Sequence, residues 1–337
     1  MAERIKPVTA KEWGEVNSVT KGIVEEYLNE LVDLSDKTVR QYKSALSIYF
    51  RFIKDSANNV PFNEIKSRDY LRYQNYLSRL DMSSSGISLK RSAISAFNDW
   101  VITYYNDVYP TFHNYITKQI KKPMKSFKNP KEPLTMEELN KIEEQLVIEE
   151  KWQELAYLLY TYSTGCRRTE SMLLLKEVAD YEPKIKTKTI KDEDDKDKEV
   201  EVKYYLTHDI RCKGASNLGK VRKLKFDEKA MIAIKKWLEV RGEDDCPYLF
   251  VVKPKDGDVR QVGESVFGYW CHTYFEPVIG RRVHPHIFRE SRATNIVVHE
   301  GKSIETAQSL LGHNSAETTK IYVIKKDNDE EADDAFI

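Results

Sequence analysis

At 337 residues and 40% hydrophobic content, the chain is long enough for about two domains with their own cores, and no apolar run approaches a membrane span. Its four cysteines, Cys166, Cys212, Cys246 and Cys271, lie far apart with no CxxC pair, which argues against a disulfide framework or a zinc site. The formal net charge of zero hides an uneven distribution: residues 18–131 carry 18 Lys and Arg against 11 Asp and Glu, and the tail after Tyr322 carries two Lys against six acidic residues.

The opening MAERIKPVTAKEW has no apolar signal-peptide core, so a cytoplasmic protein is expected, and residues 1–17 read as a short lead-in. A helical domain is expected over residues 18–117, with helical periodicity from Val19 to about Asn106. Ile23, Tyr27, Leu28 and Leu31 mark a first helix. Ser35 and Asp36 can cap a second, with Val39, Tyr42, Leu46, Tyr49, Phe50 and Ile53 as its apolar stripe. A third carries Tyr70, Tyr73, Leu77 and Leu80 after the cap Ser67, and a fourth follows the SSSG turn with Ile94, Phe97 and Val101. Together they predict a small helical bundle. Its basic residues form stripes: Arg40, Lys43 and Arg51 on the second helix, Arg68, Arg72 and Arg79 on the third, Lys90 and Arg91 at the start of the fourth. Such stripes on several helices suit phosphate contacts. Residues 118–133, KQIKKPMKSFKNPKEP, read as a Lys- and Pro-rich interdomain linker whose Lys121 and Lys122 could track a phosphate backbone.

The second domain is predicted over 134–324. Thr135 and Glu138 have the spacing of a capping box, and an apolar helix over 155–162 ends at Ser163-Thr164-Gly165. A further helix carries Arg167, Arg168, Glu170 and the run from Met172 to Leu175. Residues 184–206 alternate and are split by the charged tip KDEDDKDK, which predicts a β-hairpin with a solvated turn. A second hairpin holds Lys213 in its first arm or turn, before a strand over 221–226 and helices over 229–240 and 267–275. The fold class is therefore mainly α with a small antiparallel β-sheet: a helical N-terminal domain, then an α+β domain.

Residues 284–322 concentrate the candidate chemistry. His286 and Arg289 stand three apart at the start of a helix whose one face holds Ala293, Ile296 and Val297, and a helix N-terminus also attracts anions. Ser303 opens a second short helix with Ile304, Ala307, Leu310 and Leu311, stopped by Gly312; His313 follows in the turn. Ser315 can cap a third helix, with Glu317 in its first turn, that delivers Tyr322. His286, Arg289, His313 and Tyr322 can all act on a phosphodiester. Residues 325–337 form an acidic tail.

With these residues in hand, the second domain resembles the catalytic domain of the tyrosine recombinases, the phage-integrase and Xer-like site-specific recombinases. Thr164-Gly165-Cys166-Arg167-Arg168-Thr169-Glu170 looks like the family's first-arginine motif, and Lys213 falls where the family places its β-hairpin lysine, with Lys220 as the alternative. His286-Ile287-Phe288-Arg289 matches the His-x-x-Arg box, Leu311-Gly312-His313 the following histidine motif, and Thr319-Lys320-Ile321-Tyr322 the nucleophile. The bundle is similar to the family's core-site DNA-binding domain.

The resemblance implies that Arg167 and Arg289 meet the negative charge on the scissile phosphate, a task suited to planar, permanently charged forks. Tyr322 would be the nucleophile, His286 its base or orienting partner, and Lys213 the general acid for the departing 5′ oxygen. His313 would donate to the phosphate, and Glu170 would hold Arg167 or a histidine. Neither a metal nor another cofactor is implied. The implied partners are double-stranded DNA core sites, three further copies in a homotetramer on synapsed DNA, and a DNA-bending accessory protein, at the bacterial nucleoid. An integrase of a phage or mobile element is the first expectation. The alternatives are an Xer-type chromosome-dimer resolvase, a type IB topoisomerase, and a catalytically silent DNA-binding regulator.

Overall fold

In the computed structural model the described residues are 5–124, 132–191, 197–212, 220–312 and 316–320. They divide into two compact units, Met1–Pro130 and Lys131–Ile337. The first is built from helices α1 (Ala10–Gly14), α2 (Ser18–Glu30), α3 (Asp36–Ser56), α4 (Ser67–Arg79) and α5 (Ser84–Tyr104). Ser35 caps α3 as predicted, its hydroxyl accepting the Thr38 N–H, whereas α5 begins inside the predicted SSSG turn, capped by Ser83, whose hydroxyl accepts the Gly86 N–H. At α4 the cap is Lys66, not Ser67: Asp69 accepts the Lys66 N–H, and the Ser67 hydroxyl donates to the Tyr115 carbonyl. The core is unusually aromatic. Tyr49 lies 4.9 Å from Tyr73 between ring centroids, and Phe50, Phe62 and Phe97 pack edge to face nearby.

Two boundaries differ from the sequence reading. The lead-in is part of the first unit: Thr9 caps α1, Val16 is buried, and Arg51 and Lys54 of α3 pair with Glu12 and Glu15. The segment taken as linker from residue 118 begins inside the bundle, where Ile120 is buried and the Gln74 side-chain amide donates to the Lys121 carbonyl. Scattered apolar residues without helical period gave no signal of this packing.

The second unit comprises α6 (Met136–Ile148), α7 (Trp152–Thr164), α8 (Arg168–Met172), strands β1 (Lys184–Lys191), β2 (Asp197–Leu206), β3 (Ile210–Cys212), β4 (Lys220–Arg222) and β5 (Lys225–Asp227), and α9 (Glu228–Arg241). After these come β6 (Val251–Val252), β7 (Arg260–Gln261), α10 (Glu264–Trp270), α11 (Glu276–Ile279), α12 (Ile287–Thr294), α13 (Ile304–Leu311) and α14 (Ala316–Lys320). Helix α7 is the central element. Eight of its residues between Leu155 and Thr164 are buried, and the Tyr157 ring stacks 4.3 Å from Phe267. Thr135 and Glu138 form the predicted capping box at α6.

The 184–206 hairpin is present in antiparallel register from Lys184 opposite Tyr204 to Lys191 opposite Asp197. The single strand predicted over 221–226 is two. β4 pairs with β3, β5 joins β2, and the chain changes partner at Lys223–Leu224, where Thr207 bonds both the N–H and the carbonyl of Leu224. The helix predicted over 267–275 starts earlier, at Glu264, and passes through a π turn at Cys271–Phe275 into α11, which stops at Gly280; α12 likewise runs into a π turn at Asn295–His299. Among the described residues, no helix is long and apolar enough to cross a membrane.

Candidate active site

The site grows from the end of α7. Gly165 takes a left-handed conformation (φ 59°) that ends the helix, and a Cβ there would come within 2.4 Å of the Leu311 side chain. The chain then turns into α8 with Arg167 at its cap. The fully buried carboxylate of Glu170 receives the Arg167 backbone N–H on one oxygen and its guanidinium on the other, each at 2.9 Å. Burial would raise this carboxyl, but bonds from the Arg167 backbone and side chain, with the charges of Arg167 and Arg222, hold it below its ordinary value. The Arg167 side chain keeps 26% of its surface exposed. Arg168 points elsewhere, to Glu264. Burial, reinforced by Glu170, pushes the neighbouring Cys166 thiol up to about 11.

Arg289 of α12 is wholly buried. Its guanidinium donates to the Gly165 carbonyl and to the Leu311 carbonyl, both at 2.7 Å. It therefore fastens the turn leading into Arg167 to the end of α13, the segment leading into His313. His286 is the half-buried cap of α12, three residues before Arg289 as the sequence places it, and its carbonyl accepts the Glu290 N–H. Ser303 caps α13 and Gly312 stops it (φ 66°), as expected. Lys213, His313, Ser315 and Tyr322 lie outside the described residues. The structure thus brings together Arg167, Glu170 and Arg289.

One residue at this junction was not among the predicted set. Arg222, on β4, donates to the Leu310 carbonyl at 2.8 Å and to Cys212 Sγ at 3.3 Å, and pairs with Glu170 at 3.5 Å. Nothing in Lys220-Val221-Arg222-Lys223 distinguishes it from its basic neighbours. The available signal was pairing across the hairpin, which sets Arg222 opposite Ile210 and diagonal to Cys212.

In the first unit, Arg40, Lys43, Arg68, Arg72, Lys121 and Lys122 are exposed. Arg68 and Lys121 line one groove with Gln74 and Thr117. Arg91 bonds to the Gln74 side chain and the Thr117 carbonyl beneath it, over the Tyr70 ring. Lys90 is half-buried, and burial lowers its ammonium below its ordinary value. Arg51 departs from the predicted stripe: it is turned onto Glu12 and the Lys6 carbonyl because α1 covers that part of α3.

The first unit is thus a helical bundle, and the second an α+β unit that holds a carboxylate-anchored arginine tied through the Gly165 carbonyl to a second arginine. The sequence model of the phage integrase family matches residues 132–329, and that of the phage integrase N-terminal SAM-like domain matches 24–103. The chain belongs to the phage integrase family, the tyrosine recombinases, and is an enzyme of site-specific recombination. It is similar to the SPbeta prophage-derived recombinase-like protein YomM of Bacillus subtilis, 28% identical over all of this chain and 96% of that protein. The tyrosine recombinase XerA of Pyrococcus furiosus is 26% identical over 89% of this chain and 88% of its own. Among solved structures, the Tn1549 transposon integrase in complex with circular intermediate DNA superposes with a TM-score of 0.65 at 14% identity, covering 93% and 98% of the two chains. XerH bound to palindromic difH substrate reaches 0.61 at 16% identity, covering 93% and 82%. At such identities the likeness is one of fold.

Proposed function

We propose that this recombinase is the integrase of a phage or other mobile element. It cuts and rejoins double-stranded DNA at core sites through a covalent 3′-phosphotyrosyl link on Tyr322. The observation that carries the chemistry is Arg167 held by buried Glu170 and coupled through Gly165 to Arg289. Two forks fixed on one backbone turn are preorganised for the charge that builds on the non-bridging oxygens during in-line attack. Tyr322 attacks phosphorus, its proton passing to His286, and the bond to the 5′ oxygen breaks as Lys213 protonates it. His313 donates to the phosphate. A 5′ hydroxyl from the partner duplex then reverses these steps, and the phosphotyrosyl link conserves the energy of the bond it replaced.

The mobile-element reading is supported by similarity to a prophage-derived protein along the whole chain, against 89% of it for XerA. Exchange of both strands of two duplexes requires four nucleophiles, hence a homotetramer on synapsed DNA at one Tyr322 per copy. A DNA-bending accessory protein would assist synapsis, and the enzyme would reside at the nucleoid. The first unit would grip the core site through Arg40, Lys43, Arg68, Arg72, Lys121 and Lys122, with Lys90 and Arg91 beside them.

The test is trapping on nicked suicide duplexes drawn from genomic fragments flanking the gene, with wild type and Tyr322→Phe side by side. A covalent protein–DNA band from wild type that is absent in the variant is expected. Capture only on fragments elsewhere in the chromosome would favour an Xer-type resolvase. Tight binding to a site without any covalent band would favour a silent DNA-binding regulator.

A further inference from the structure

Arg222 sits where three catalytic segments meet. Its own strand, β4, forms the hairpin whose other arm, β3, ends at Cys212, immediately before Lys213. Nη2 pairs with Glu170 Oε2, the oxygen that also takes the Arg167 backbone N–H, while Oε1 holds the Arg167 guanidinium. Nη1 donates to the Leu310 carbonyl at the end of α13. The planar group lies flush against Gly312: a Cβ on that glycine would stand 2.6 Å from Nη1 and 2.8 Å from Cζ. The side chain is only 14% exposed, so these contacts are made largely out of water.

This geometry does two things. Glu170 is shared between two guanidinium groups, so it neutralises neither Arg167 nor Arg222 fully and leaves positive potential beside Arg167. The fork also spans the gap between the first-arginine turn and the end of α13, which Arg289 bridges through other carbonyls. A guanidinium can serve a carboxylate, a carbonyl and a sulfur in one plane, which an ammonium cannot.

We propose that Arg222 is a positioning residue of the strand-cleavage step: by bridging Glu170 and the Leu310 carbonyl with its face on Gly312, it sets Arg167 against the Leu311-Gly312 turn and the β3–β4 pair. This rests on the strand-transfer reading above. A misplacement of about 1 Å in such a constellation costs on the order of 100-fold in rate.

The experiment is single-turnover formation of the covalent complex on a nicked suicide duplex carrying the enzyme's core site, with DNA affinity measured separately, for wild type, Arg222→Ala and Arg222→Lys. Arg222→Ala is expected to lower the first-order rate at saturating DNA by roughly 10- to 100-fold with affinity changed less than about twofold. Guanidinium chloride at tens of millimolar should restore part of that rate, which no general loosening of the fold would allow. Arg222→Lys keeps the charge and should recover part of the rate but stay below wild type. If Arg222→Ala loses its cooperative melting transition, Arg222→Lys carries the test alone, with a rate drop of about tenfold at unchanged affinity expected. Wild-type rates in both variants, or a loss in affinity equal to the loss in rate with no response to guanidinium, would overturn the positioning role. Absence of a covalent complex from wild type on bound core-site DNA would overturn the strand-transfer reading, and this role with it.

Discussion

At the scale of single residues, the site is organised by a buried carboxylate more than by its arginines. Glu170 has no exposed surface and still stays ionised because Arg167 reaches both of its oxygens and Arg222 one. Its acidity is shifted below the ordinary value of 4.5, so the charge stabilises the fold above that pH and the contribution is lost as pH falls through the lowered value. Glu170→Gln should therefore cost about 2–3 kcal/mol at neutral pH, less than the 3–5 of a fully buried pair because Arg167 is partly exposed. The variant should also lose stability less steeply than wild type on acidification below 4.5. Urea midpoints taken across pH would show both effects, and parallel pH profiles for the two proteins would contradict this account.

At the scale of elements, legibility followed how local the determinant is. Ser35, Thr135 and Ser303 cap the helices they were expected to cap, because a cap bonds to N–H groups two or three residues away. Helix α6 shows where such an element gains a tertiary tie. Glu138 completes the box with Thr135 and also receives two parallel donors from Arg281, at 2.6 and 2.7 Å. Thr135→Ala should cost about 1 kcal/mol, the usual value of a lost cap, and Glu138→Ala clearly more, since it also removes both carboxylate bonds of Arg281 and leaves that side chain the Glu132 and Pro133 carbonyls. Chemical denaturation of both would check the order; equal losses would mean that the Arg281 pair contributes nothing. The run from 221 to 226 was misread as one strand because alternation carries no record of which neighbour a strand pairs with.

At the scale of the whole molecule, each unit carries its own core. Met1–Pro130 encloses Tyr49, Phe50, Phe62, Tyr70, Tyr73, Phe97 and Tyr115, and extends past α5 to Ile120. A fragment of residues 1–130 should therefore unfold cooperatively by circular dichroism, whereas one ending at 105 should lose that cooperativity with Tyr109, Phe112 and Tyr115 removed. Identical melting of the two would contradict a core that extends beyond α5. The amino-acid sequence by itself determined most of the helices, the caps at Ser35, Thr135 and Ser303, and the glycine stops at Gly165 and Gly312, since each depends on residues within a turn or two. Only the tertiary structure decided that Arg51 turns inward onto Glu12, that Arg289 is buried between the Gly165 and Leu311 carbonyls, and that Arg222 joins Glu170 to Leu310. Those bonds span 39, 124, 22, 52 and 88 residues of sequence. A long flexible side chain of fixed charge has many partners open to it in the linear chain, and packing of the cores selects one.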